Sequence, residues 1–215
     1  MNPDKEALDR VIAYAQKVHG VKIKFKNESR LMKVLGWVLF FNSEFMTRFV
    51  TVIGSTVYYP SREKFEENPG SAARVLCHEL IHISDSKRFG ETLFRVSYLF
   101  PQCLSVLALL TFVIGPWALM SLIFLLPLPA FFRTFWELRG YAMTDAVTHK
   151  LTGKFTDMGW LTGQFTTGSY YFMWPFLGSL KREIRKNRYL ILHGNLHEEI
   201  PEADVILKVF FGNSE

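Results

Sequence analysis

Apolar positions near the start of the chain recur at helical spacing. Leu8, Val11, Ile12 and Ala15 fall on one face of a segment from Pro3 to His19, which predicts an amphipathic helix. From Val21 to Lys26 the spacing changes to strict alternation, the pattern of a half-exposed strand. Leu31 to Phe41 predicts a largely apolar helix of 11 residues, too short to span a bilayer. Phe45–Ile53 and Thr56–Tyr59 are rich in β-branched and aromatic residues, and Gly54-Ser55 separates them, so two short strands joined at a turn are expected. Asn68-Pro69-Gly70-Ser71 is a breaker followed by a capping residue. The strong helix formers Ala72–Cys77 come next, and Ala72, Ala73, Leu76, Leu80 and Ile81 form an apolar stripe. A second helical stretch runs from Phe135 to Ala146.

Between these two helices the pattern disappears. Val96 to Phe132 is a run of 37 residues without a charge, and Gly115-Pro116 divides it near the middle. Ser97–Thr111 and Trp117–Leu126 are dominated by Leu, Val, Ile and Phe. A membrane span needs about 20 apolar residues, so one crossing is over-supplied and two are slightly short. The run is expected to be a hydrophobic helical hairpin that crosses twice, dips in and returns, or stays buried in protein. Lys87, Arg88 and Arg95 precede it and Arg133 and Arg139 follow. Basic residues at both ends place both ends on the cytoplasmic side.

The whole pattern predicts an α+β chain, mainly helical, with a short antiparallel sheet and an inserted hydrophobic hairpin. Residues 1–95 precede the hairpin (96–132), and 133–215 complete the domain. A net charge of +5 points to anionic surfaces, and membrane lipid is the expected one. The basic residues are scattered and no nucleic-acid reading motif accompanies them, so no nucleic acid is expected as a partner. Two cysteines, Cys77 and Cys103, are too few for a disulfide framework and read as reduced, packed thiols. The first 30 residues are charged throughout, so no secretory signal is expected.

The chemistry concentrates in His78-Glu79-Leu80-Ile81-His82. Residues four apart share a helix face, so both imidazoles can hold one zinc ion, and Glu79 sits where it can take a proton from a water at that ion. A catalytic zinc needs a third protein ligand and an open position. Six residues past His82, the spacing of one large class of zinc peptidases, lies Arg88, which excludes that class. Asp85 is better placed to hold an imidazole N–H. On the later helix Glu137 is the best candidate, with Asp145 and His149 as rivals.

This order of strand pair, His-Glu-x-x-His helix, hydrophobic hairpin and Glu-bearing helix resembles the membrane-bound gluzincin metallopeptidases, such as the CAAX prenyl proteases and bacterial heat-shock membrane proteases. The likeness covers roughly residues 45–150, and only the pentapeptide is specific in sequence. It implies a zincin-like fold, Zn2+ held by His78, His82 and Glu137, Glu79 as general base, and a peptide or protein substrate cleaved at the membrane. The family usually carries an Asp four residues after the ligand Glu, and here Tyr141 stands there, able to orient a ligand or donate to an oxyanion. His193, His197, Tyr170 and Tyr171 are further candidates for the oxyanion donor. Tyr170–Phe176 is dense in aromatic residues, which suits a membrane-interface belt, a substrate wall or a core. The alternative to a peptidase is a non-catalytic membrane-inserting or assembly protein with a structural zinc or none.

Overall fold

The structure, a computed structural model, describes residues 2–40, 42, 44–168 and 172–212. It is mainly helical with one small sheet, the α+β class that the periodicities predict. Two compact units form, Met1–Ser84 with Pro201–Glu215, and Asp85–Ile200; the division falls inside one continuous helix, Pro69–Phe89.

In the first unit, helix α1 (Pro3–His19) opens where the Asn2 side chain accepts from the Asp4 N–H, and closes at Gly20 with φ of 65°. It buries Leu8, Val11 and Ala15, as its stripe predicts, together with Ala7. Strand β1 (Lys22–Phe25) follows, then α2 (Arg30–Val38), β2 (Thr51–Ile53) and β3 (Thr56–Tyr59). Strands β2 and β3 pair antiparallel across the Gly54-Ser55 turn, where Gly54 has φ of 59°. The first strand is shorter than expected because Glu44–Phe49 is taken up by hydrogen-bonded turns on the Glu44 carbonyl.

The sheet is mixed rather than purely antiparallel: β3 is central, and β1 runs parallel to it with Ile23 opposite Val57. The stretch between β1 and β3, which contains α2, is long enough for the crossover that parallel pairing requires. After α3 (Arg62–Glu67) comes α4 (Pro69–Phe89). The last helix, α10 (Ala203–Phe211), packs on α1, and the Arg10 guanidinium donates to the Val209 and Phe210 carbonyls at its end.

The second unit takes the last turn of α4, then α5 (Glu91–Leu99), a 3₁₀ segment Gln102–Leu110, α6 (Thr111–Ile114) and a 3₁₀ segment Pro116–Leu125. Helices α7 (Phe131–Thr152), α8 (Met158–Thr166) and α9 (Leu177–Leu192) close it around a core of Ala130, Tyr141, Leu161, Phe165, Met173 and Leu180. The uncharged run is a hairpin turning at Gly115, as expected, but its arms are short and its first residues belong to α5. Among the described residues no single helix is long and apolar enough to cross a membrane, and α5 and Gln102–Ile114 form a pair bent by 91°. Nor is the hairpin wrapped in protein: Phe112 is 99% exposed and Trp117 78%.

Candidate metal centre

Helix α4 begins three residues earlier than the capping candidate Ser71 suggests. Asn68 is the cap, its side-chain oxygen accepting from the Ser71 N–H at 3.0 Å, and Pro69 takes the first helical position, where its missing N–H costs nothing. Gly70 lets α1 approach, since a Cβ there would lie 2.7 Å from the Asp4 carboxylate. That carboxylate sits against the positive end of the α4 dipole. The predicted stripe of Ala72, Ala73, Leu76, Leu80 and Ile81 is buried, which fixes the rotation of α4 and with it the direction of the histidine face.

His78 and His82 are both buried, with Nε2 atoms 3.1 Å apart and ring planes at 76°. Two nitrogens bound tetrahedrally at zinc-like lengths of about 2.0–2.1 Å stand roughly 3.3 Å apart, so the observed spacing suits one shared cation. Glu137 on α7 is 2% exposed, and one atom from each of His78, His82 and Glu137 lies within 4.8 Å of the other two. Among the described residues these three form a buried group able to hold a metal ion. Two neutral imidazoles and one carboxylate are a donor set that divalent transition metals accept.

The Glu137 carboxylate is held by a hydrogen bond. The Tyr98 hydroxyl donates to Glu137 Oε1 at 2.5 Å. Asp85, one turn past His82, receives the Arg139 guanidinium in a bidentate pair at 2.8 and 2.7 Å, and Arg139 also donates to the Glu199 carbonyl. One partner of Asp85 is therefore a buried cation on α7, two residues past Glu137. The rival ligands are engaged elsewhere: Asp145 accepts from Arg188 and from the Thr156 N–H, and the His149 ring stacks on Phe155.

Glu79 follows His78 around the helix and is half-buried. Its charge is felt by two buried groups in its unit. Lys26 is fully buried, donates to the Phe45 carbonyl at 2.6 Å and lies 3.9 Å over the Phe45 ring. Burial pulls its ammonium down to about 8, against the opposing effect of Glu79. Tyr59 donates to the Ala72 carbonyl and is pushed well above its ordinary value by burial and by Glu79. A cleft of about 260 Å³, lined in part by Val50, Tyr59, Phe65, Ser71 and Val75, opens along α4. Ser71, Val75, His78 and His82 share one face at about 100° per residue, so the cleft continues the line of the histidines.

The remaining candidates have other surroundings. Tyr141 is buried, with its ring against Phe165 and Trp160 in the core of the second unit. His193 stacks on Tyr189 at the exposed end of α9, and His197 is exposed. Tyr170 and Tyr171 lie outside the described residues. Cys77 is fully buried and its thiol is pushed up by that burial, while Cys103 is half-buried. Two residues escape a reading of the sequence. Lys26 looks like an outward strand residue, but β1 ends at Phe25 and the next turn carries Lys26 inward. Tyr98 sits inside the uncharged run, where one phenol among several hydroxyls is the only signal. Compared with protein-family models, characterised protein sequences and solved structures, the chain matches none.

Proposed function

We propose that this protein is a membrane-associated zinc metalloendopeptidase of the gluzincin kind, with His78, His82 and Glu137 as ligands. The observation that carries the reading is the convergence of those three buried side chains, the outermost of which, His78 and Glu137, are 59 positions apart, with atoms within 4.8 Å of one another. When bound, the ion supplies Lewis-acid polarisation of a carbonyl and acidifies water.

The chain's own residues supply the rest. Glu79 takes a proton from the attacking water and passes it to the nitrogen of the breaking C–N bond, so one water is consumed and an acid and an amine are released. Its position next to His78 on a rigid helix fixes it beside the reacting carbonyl. Tyr98 holds the Glu137 carboxylate in one orientation. The cleft along α4 would receive a substrate side chain: Val75 is about 4.5 Å of helix rise from His78, and an extended peptide advances about 3.3 Å per residue.

Metal analysis and cleavage test this together. Purified protein should carry about one zinc per chain, as a three-ligand site requires, and lose it in His82→Ala. Glu79→Gln should retain the zinc and abolish cleavage of a broad peptide library. Retained zinc with no cleavage by the unaltered protein would favour a structural ion and the non-catalytic alternative.

A further inference from the structure

We propose that the uncharged hairpin is a re-entrant wedge that enters a lipid bilayer, stops short of its far side and leaves by the face it entered, bringing polypeptide at the membrane surface to the metal centre. Only the second half of this statement rests on the peptidase reading.

The two ends of the hairpin are fastened together. Arg133 Nε donates to the Tyr98 carbonyl at 2.9 Å and its Nη2 to Gln102 Oε1 at 3.2 Å, and Trp136 Nε1 donates to Ser97 Oγ at 3.1 Å. Entry and exit are therefore one place, which rules out an odd number of crossings. The arms also limit the depth. Nine 3₁₀ residues and four α-helical residues carry the outward arm about 24 Å, and ten 3₁₀ residues carry the return arm about 20 Å. A hydrocarbon core is about 30 Å thick, so the turn at Gly115 passes through one leaflet and stops short of the far side.

Polarity fits that depth. The hydroxyls of Ser105, Thr111 and Ser121 each donate to the carbonyl three residues back, at 2.8, 2.6 and 2.7 Å, so the polar side chains on the arms satisfy backbone acceptors where water is absent. At the turn, Phe112, Val113 and Trp117 are 99%, 79% and 78% exposed. Helix α5 lies at 91° to the outward arm, the direction of the membrane plane when the arm points inward. It exposes Leu93, Val96 and Leu99 at helical spacing. Exposed Lys87, Arg88 and Arg95 near the base complement anionic headgroups.

The wedge is mechanically continuous with the candidate site. Glu137 stands four residues, about 6 Å of helix rise, past Arg133, and Tyr98 at the base donates to it. The substrate class that follows is the juxtamembrane stretch of a membrane-anchored polypeptide.

The test uses the full chain with vesicles of phosphatidylcholine and phosphatidylglycerol. In flotation it should bind the vesicles, and Phe112→Asp with Trp117→Asp should weaken binding at least tenfold while leaving the thermal transition and zinc stoichiometry unchanged. A nitroxide attached at Phe112→Cys, in a Cys103→Ala background, should report a depth inside the hydrocarbon core, short of its far side, and no access to a reductant sealed inside the vesicle. A label that stays in water, or one reached from the lumen, overturns the wedge. So does a chain that ignores vesicles and pairs through this face with a second copy. For the substrate, one peptide is offered free and lipid-anchored, and at least tenfold faster cleavage of the anchored form is expected. Insertion with equal cleavage of both removes the substrate assignment and keeps the wedge; insertion with cleavage of neither removes the peptidase reading and the substrate assignment with it.

Discussion

Tyr98 is the residue on which the orientation of Glu137 turns. A phenol donating to one carboxylate oxygen fixes the rotation of the carboxylate, and groups that hold metal ligands in this way typically contribute 10–100-fold to metal affinity. Tyr98→Phe keeps the ring, which packs near Phe94, and removes only the donor. Zinc affinity, measured by competition with a chromophoric chelator, should fall by about that factor; an unchanged value would mean that the hydroxyl does not position the ligand. The contrast with His78 and His82 explains what a sequence can say at this scale. Their relation is set within one helix, four residues apart, so it is written in the chain. The hydroxyl reaches Glu137 across 39 positions, and nothing local marks it. Lys26 was hidden for a different reason: alternation predicts an outward side chain only while the strand lasts, and β1 stops one residue short of it.

At the scale of elements, the C-terminal part of α4 and the third turn of α7 are joined by a buried ion pair. Asp85 is 1% exposed and Arg139 9%, and two hydrogen bonds below 3 Å connect them. Removing one partner leaves a buried charge uncompensated, which typically costs about 3–5 kcal/mol, whereas replacing both with apolar groups recovers much of that. Urea unfolding should therefore show Arg139→Leu as strongly destabilised and Asp85→Leu with Arg139→Leu as the milder variant. The opposite order would mean that the pair is not buried in solution. The helices themselves were legible because Asn68, Pro69 and the apolar stripe of α4 are local signals, and the hairpin because 37 residues lack charge. The parallel pairing of β1 was not. Alternation identifies a strand and a face, but the direction of its partner depends on a crossover through α2 that leaves no pattern in either strand. The arms of the hairpin are likewise shorter than their hydrophobicity suggests, because Pro101 and Gly115 interrupt the helices regardless of composition.

Over the whole molecule, a buried ammonium makes stability depend on pH in a direction that can be worked out. Lys26 titrates at about 8 when folded against an ordinary 10.5, because burial disfavours its charge more than Glu79 favours it. Through that window the unfolded chain holds a proton at Lys26 that the folded chain has released, so stability rises with pH. One pH unit per proton corresponds to about 1.4 kcal/mol, and the partial titration between pH 8 and 9 leaves a gain of about 1 kcal/mol. Other groups act in the reverse sense at higher pH. Cys77, Tyr14 and Tyr59 are all pushed up by burial, so above about 9 for the thiol and 10 for the phenols the unfolded chain loses protons first and stability falls. The thiol's share already begins between pH 8 and 9, but it is common to the natural protein and a Lys26 variant and cancels in their difference. Urea unfolding at those two values should show the natural protein gaining stability relative to Lys26→Met, a side chain of similar reach with no charge to lose. The pH dependence of metal binding, common to both proteins, cancels in that difference. Parallel pH profiles would mean that Lys26 keeps its ordinary affinity for a proton, and that its ammonium reaches solvent rather than the Phe45 carbonyl.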